Sequence, residues 1–237
     1  MSVLLGLFLA LAWPSSFGEA QKRYDSGDYR AAAGLFQDLV AKNPSDPILR
    51  YNLGNAHFKS GALGPAIASY QRAFDRLPRD PDIRHNLEFA LNKAGEQLVP
   101  SGIPPILFRL FWWFSKRELA GLHWIAAWLA LLLGGLSLYR RDLRPRLGRP
   151  AAACLAFWAI FGLWWLARRN LDPRPMGVIV RPTAELRSGP GERFSVSFTA
   201  PEGRRAQILS QEGDWLEIGL IQEGVKGWIA ASSIEPI

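Results

Sequence analysis

The sequence has few residues for sulfur or metal chemistry: one cysteine, two methionines and three histidines in 237 residues. A single cysteine, Cys154, excludes an intramolecular disulfide and any metal site built on several cysteines. His57 and His85 are interpreted as surface or packing residues rather than ligands. We therefore expect no metal and no cofactor.

Catalytic motifs are absent from the sequence as well. It contains no recognisable nucleophile–base pair, no carboxylate pair in a catalytic pattern and no glycine loop that cradles phosphate. The glycine-rich stretches at 61–64 (GALG) and 187–191 (RSGPG) are interpreted as turns. The sequence thus favours a non-enzymatic protein.

Acidic residues are scarce in the middle third of the chain. Residues 101–175 contain 11 lysines and arginines against 3 acidic residues, whereas the flanking parts are close to neutral. The net charge of +7 and the pI of 9.9 therefore come from cations beside apolar segments. A nucleic-acid-binding protein would instead carry a basic face on a soluble domain, so we expect no nucleic acid partner.

Two apolar runs in this third predict transmembrane helices. Residues 119–139 lack any formal charge and are long enough to cross the roughly 30 Å hydrocarbon layer; residues 151–167 form a shorter run. Tryptophans lie towards the ends of both runs, as in the aromatic belts of membrane proteins. The two runs predict a helical hairpin in the lipid bilayer.

The segment between the runs, residues 140–150, predicts the orientation of this hairpin. Short loops rich in arginine stay in the cytoplasm. This loop contains five arginines: Arg140, Arg141, Arg144, Arg146 and Arg149. The far ends of the two helices carry fewer cations. We therefore expect a cytoplasmic loop, with the other domains on the periplasmic or outer side of the bacterial cytoplasmic membrane.

Residues 1–16 agree with this orientation. Residues 2–12 form an apolar run that is too short to span a bilayer and is typical of a secretory signal. A cleaved signal and a short uncleaved anchor are both open alternatives. Each of them places the following domain outside.

Residues 17–98 contain an internal repeat with a period of 34 residues. Leu53 and Gly54 precede its second copy, where two helices must pack closely. The aligned pairs are Gly27 with Gly61, Ala32 with Ala66, Phe36 with Tyr70, and Pro44 with Pro78. The pattern resembles the tetratricopeptide repeat family. This resemblance implies an all-α solenoid of two helix pairs, closed by a capping helix within residues 81–98.

A tetratricopeptide repeat solenoid displays a groove that holds a peptide or helix of another protein. The first helix of each unit lines such a groove. The candidates for partner binding on these helices are Tyr51, Asn52, Asn55, Phe58, Lys59 and Asn86.

Residues 99–118 separate the repeats from the first apolar run. Three prolines near their start forbid a continuing helix. The following stretch, ILFRLFWWF (106–114), is interpreted as a segment at the membrane interface. The alternative is that it extends the first transmembrane helix.

Residues 176–237 change to short β-type runs separated by glycine or proline. The stretches LRSGPG, PEG, GDWLEI and KGWI follow one another between 186 and 229. In that order they resemble the bacterial SH3-like domain, which implies a small all-β barrel. Arg187, Trp215 and Trp228 are candidates to border a groove for a peptide or a cell-wall stem.

The sequence thus predicts a multidomain membrane protein with a helical repeat, two transmembrane helices and an SH3-like barrel. This order resembles the BatE proteins of the bacterial aerotolerance operon. The resemblance implies an envelope complex with partners that carry von Willebrand factor A domains and with a MoxR-type ATPase. A scaffold that binds membrane or periplasmic proteins is the leading hypothesis. A peptidoglycan-binding or peptidoglycan-sensing module is the second.

Overall fold

A computed structural model describes residues 15–100, 102–170 and 175–237, so the predicted signal sequence lies almost entirely outside the described residues. The repeat segment contains α1 (Ser15–Asp25), α2 (Tyr29–Lys42), α3 (Pro47–Lys59), α4 (Leu63–Phe74) and α5 (Pro81–Lys93). Two helix pairs are followed by a single helix, as the repeat pattern predicts.

Local signals that shape these helices recur every 34 residues. Asp46 accepts hydrogen bonds from the backbone N–H groups at the start of α3, and Asp80 does the same for α5. A proline follows each of these aspartates at the first helical position. The turns contain Gly27, Gly61 and Gly95, with φ of 84°, 89° and 74°, which glycine adopts without strain.

Residues 105–170 form three further helices: α6 (Pro105–Phe111), α7 (Lys116–Tyr139) and α8 (Arg144–Asn170). The segment between the repeats and α7 does not extend α7, because α6 ends before it and Ser115 starts a new helix. The Ser115 hydroxyl accepts a hydrogen bond from Glu118 N–H, and the Glu118 carboxylate accepts one from Ser115 N–H.

The two long helices α7 and α8 pack along each other and expose apolar surface. Both are long and apolar enough to cross a membrane, with mean hydropathy of 1.8 and 1.7. Trp128 is 70% exposed and Leu138 74% exposed, unlike the side chains of core helices in soluble proteins. His123 of α7 stacks on Trp158 of α8, with ring centroids 5.5 Å apart.

The strands of the β-domain, residues 176–237, are β1 (Met176–Ile179), β2 (Thr183–Arg187), β3 (Val196–Pro201), β4 (Arg205–Glu212), β5 (Trp215–Leu220), β6 (Val225–Ala230) and β7 (Ile234–Pro236). They form one antiparallel sheet in the order β3-β2-β6-β5-β4-β1-β7. Alternate side chains such as Leu216 and Ile218 point into its core. This confirms the predicted all-β fold, consistent with an SH3-like domain.

The β-domain packs on α4 and on the end of α5, a contact that the sequence did not predict. Val178 is fully buried in the core formed by α4 and α5. The Arg205 guanidinium donates to the Glu96 carboxylate at 3.0 Å, and Glu96 is 4% exposed. Gly64 N–H donates to the Glu202 carboxylate at 2.8 Å. Gly64 lies in helix α4. Its interpretation as a turn residue was therefore wrong.

Candidate functional site

The repeat groove is a cavity of about 360 Å³ on the side of the first helices α1, α3 and α5. The opposite side of the repeat segment, formed by α4, is covered by the β-domain. The residues that line the groove are Tyr24, Tyr51, Asn55, Phe58, Lys59, Tyr70, His85, Asn86 and Phe89. The groove is therefore the open side of the repeats.

A hydrogen-bond network forms the floor of the groove. The Tyr70 hydroxyl donates to Asn55 Oδ1 at 2.7 Å. Asn86 Nδ2 donates to the same oxygen and to the Tyr51 hydroxyl, both at 3.0 Å. The network joins α3, α4 and α5. It uses Asn55 Oδ1 and Asn86 Nδ2 within the protein, so these two residues hold the shape of the floor.

The protonation state of Tyr70 supports this network. Burial raises the pKa of the Tyr70 phenol well above its ordinary value, with smaller contributions from Tyr51 and Tyr24. A phenol of ordinary pKa is already protonated at physiological pH, and the upward shift extends this protonation into alkaline pH, so Tyr70 keeps its hydrogen-bond donor. The Asn55 carbonyl oxygen is its permanent acceptor.

The rim of the groove is aromatic and cationic. Phe58 and Phe89 meet edge to face with centroids 5.6 Å apart, and Lys93 Nζ lies 5.1 Å from the centre of the Phe58 ring. Phe89 is 56% exposed, which is unusual for a phenylalanine on a packed helix. Lys59 and His85 complete the rim, and the lining contains no acidic residue. The rim can receive an apolar side chain flanked by negative charge.

Five of the six predicted partner-binding residues lie around this groove. Asn52 does not: its Nδ2 donates to Ile48 O on its own helix at 3.0 Å. Sequence reasoning missed Phe89, the most exposed apolar side chain of the rim. The repeat could have found it, because Phe89 follows the candidate Asn55 by 34 residues.

The three predicted residues of the β-domain share the outer face of its sheet. Arg187 pairs with Trp228 in the register of β2 and β6, and Trp228 pairs with Glu217 of β5. Trp215 lies two residues before Glu217 and therefore on the same face. The Arg187 guanidinium is already bonded to Glu192 O and Phe194 O, each at 2.8 Å. Arg187 therefore holds the loop before β3, while the two tryptophans are half-buried.

The five arginines that predict orientation lie at the far end of α7 and α8, and all are exposed. Arg140 pairs with Asp142 at 3.1 Å, and a short 3-10 turn spans Arg141–Leu143. Arg144, Arg146 and Arg149 lie in the first two turns of α8 rather than in a loop. The connection is therefore shorter than predicted, while the cluster of positive charge stays together.

Across the described ranges 15–100, 102–170 and 175–237, no group of three or more His, Cys, Asp or Glu side chains is arranged to hold a metal ion.

Comparisons with known proteins cover both soluble parts. Residues 17–81 match a family model of the tetratricopeptide repeat, and residues 182–235 match that of the bacterial SH3 domain. A putative N-acetylmuramoyl-L-alanine amidase, YrvJ of Bacillus subtilis (strain 168), is 37% identical over 54 residues. This match lies in the SH3 part and covers 23% of this chain and 10% of the amidase. The chain therefore combines tetratricopeptide repeats and a bacterial SH3 domain, two typically non-catalytic binding modules, with two long apolar helices.

Proposed function

We propose that the protein is a non-enzymatic scaffold, anchored in the bacterial cytoplasmic membrane by α7 and α8, whose repeat groove holds a segment of a partner protein. The observation that carries this function is the open, aromatic groove beside a face already covered by the β-domain. An exposed Phe89 on its rim supports the same conclusion.

The chemistry of the rim defines the partner segment. An apolar side chain would pack against Phe58 and Phe89, while acidic residues beside it would meet Lys59, Lys93 and His85. Because the resemblance to the BatE proteins covers nearly the whole chain, the partners we favour are those of a Bat-type envelope complex. They are proteins with von Willebrand factor A domains that act with a MoxR-type ATPase.

Membrane anchoring is supported by the exposed apolar surface of α7 and α8. The arginines at 140–149 favour an orientation with that end in the cytoplasm. Labelling with an impermeant thiol reagent tests it, because Cys154→Ser gives a cysteine-free background. A cysteine at Lys42 should react in intact cells and one at Arg146 should not; the reverse pattern contradicts the orientation.

Photo-crosslinking in living cells tests the scaffold function. A photoreactive residue at Lys59, on the groove, should capture an extracytoplasmic part of a membrane or periplasmic protein. The matched control is Lys42, which is exposed on the second helix α2. Equal capture from both positions, or capture of cytoplasmic proteins, would contradict a groove that selects its partner outside the membrane.

A second function, binding of peptidoglycan through the β-domain, is favoured by the similarity of this part to the putative amidase. Full-length protein in detergent should then sediment with purified cell-wall sacculi. Trp215→Ala with Trp228→Ala should lower the retained fraction, and the exposed Glu212→Ala should not. Absence of retention by the wild-type protein rejects this function.

A further inference from the structure

A second cavity, the basic cavity, lies where the repeat segment meets the ends of α7 and α8. Its volume is about 510 Å³. Asp75 is the acidic residue among those that line it. The cations in its wall are Arg50, Arg72, Arg76, Lys116, Arg117 and Arg168. Six positive charges against one negative charge make the cavity strongly electropositive.

The positions of these cations are not explained by the usual flanking of membrane helices. Lys116 and Arg117 begin α7 and Arg168 is in the last turn of α8, where long cations commonly reach the interface. Arg50 and Arg72, however, belong to α3 and α4 of the repeat segment. Cations from two independent parts of the chain therefore converge on one space.

The cations of this set repel one another. Burial lowers the pKa of Arg50, and the nearby charges of Arg72 and Arg76 lower it further. Arg72 is compensated by an ion pair with Glu235, and Arg50 donates to Pro44 O. Arg76 and Arg117 make no side-chain hydrogen bond or ion pair in the part of the chain that the structure describes. An anion in the cavity would relieve the repulsion and bond to these two.

We propose that the basic cavity binds the phosphate headgroup of an anionic phospholipid. Two guanidinium groups that face one cavity suit the oxygens of a phosphate, which arginine binds through paired hydrogen bonds. A lipid source fits the surroundings, because the neighbouring helix α6 exposes Ile106, Leu107 and Leu110. Arg168 connects α6 with the basic cavity, because it lines the cavity and donates to Phe111 O at the end of α6.

The location of the cavity at the bilayer surface rests on the proposed membrane anchoring. The two proposals fail differently. A chain that remains in solution without detergent contradicts the anchoring. An anchored chain that does not distinguish anionic from neutral lipid contradicts the headgroup site.

Native mass spectrometry of the full-length protein in detergent, titrated with phosphatidylglycerol or phosphatidylcholine, tests the site. We expect one phosphatidylglycerol molecule to stay bound, and the Arg76→Gln/Arg117→Gln variant to bind it roughly 30-fold more weakly, from the attraction of two cations to anionic lipid. The control variant, Lys22→Gln/Lys42→Gln, loses the same charge at exposed positions of α1 and α2 and should bind normally.

Further arms identify the source of the anion and exclude misfolding. Inorganic phosphate at the concentration of the lipid should not displace it; displacement would overturn the lipid as the source. Arg76→Lys/Arg117→Lys restores the charge but not the paired hydrogen bonds, so it should recover part of the binding, which a folding defect would not allow. Equal retention of phosphatidylcholine, or unchanged binding by the glutamine variant, would overturn the site.

Discussion

The two sides of the repeat segment differ in what covers them. The side of α4 is closed by the β-domain, through buried Val178 and the contact of Glu96 with Arg205. The side of α1, α3 and α5 is open and exposes Phe89. Both sides are built from the same 34-residue period, so the period alone does not decide which side receives a partner.

The difference follows from the size of the residues on each side. Gly64 on α4 lets the backbone of β1 approach, because a Cβ atom there would collide with Ile179 O and with Val180 Cα. Bulky aromatic side chains occupy the open side and leave a groove between them. The close backbone approach at Gly64 suits a permanent contact. An open side with exposed rings suits a partner that comes and goes.

The largest effect is expected from breaking the closed side at its buried ion pair. Glu96→Ala leaves Arg205 Nε–H and the Arg205 backbone N–H without their acceptor and removes the charge that pairs with this guanidinium, so it should cost about 3 kcal/mol of the free energy of unfolding. Denaturant unfolding in detergent measures this loss. Glu212→Ala removes an exposed carboxylate from the β-domain and should change stability by less than about 0.5 kcal/mol. Equal effects of the two would show that the interface contributes nothing.

The next effect compares two helical glycines. Gly64→Ala should destabilise the protein by about 1–3 kcal/mol, because the new methyl group must displace β1. Gly34→Ala, in α2, meets nothing within 4 Å and should stabilise by about 0.5–1 kcal/mol through the better helix propensity of alanine. Thermal unfolding of the two variants should therefore shift in opposite directions. A shared direction would contradict the close contact at Gly64.

Much of the fold was readable from the sequence because its signals are local. The 34-residue period, the turn glycines Gly27 and Gly61, and the alternating strands after 175 each depend on a few neighbouring residues. The long apolar runs predicted the two helices, although both extend beyond the runs into charged ends. The segment between the two apolar runs predicts a loop that includes Arg144, Arg146 and Arg149, yet these residues are helical, and Pro145 suits the first turn of a helix.

The contact between the domains was not readable, because its residues are far apart in sequence. Glu96 and Arg205 are 109 residues apart, and each alone reads as an ordinary surface charge. The stretch 61–64 predicts a turn that includes Gly64, because the turn glycine Gly61 stands three residues before it, yet Gly64 is helical. The basic cavity could not be predicted for the same reason. The arginines of α3 and α4 line a cavity only because the ends of α7 and α8 lie beside them.

A smaller effect concerns the open side. Phe89→Ala removes a ring that is mostly in solvent, so it should leave stability nearly unchanged while weakening partner binding about tenfold, as for a central interface aromatic. The yield of crosslinked partner from a photoreactive residue at Lys59 measures the loss. Val196→Ala shortens an exposed apolar side chain on β3 and should leave the yield unchanged. A loss of stability in Phe89→Ala would instead assign the ring to the core.

The smallest effect tests whether the closed side stays closed in solution. His57 borders a cavity between the repeats and the β-domain, beside Arg30 and Glu202. Burial lowers the pKa of His57, against a weaker opposite effect of Glu235. The unfolded chain therefore binds more protons as the pH falls below about 6.5, so the stability that neutral His57 contributes is complete above that pH and is lost below it.

His57→Gln should remove this loss of stability. The unfolding free energy of the wild type minus that of the variant should therefore shrink from pH 7.5 to pH 5. In the Glu96→Ala background the pH dependence of this difference should weaken, because a loosened contact with the β-domain buries the imidazole less. An undiminished pH dependence in that background would mean that the repeats alone bury His57. The contact with the β-domain would then not determine its titration.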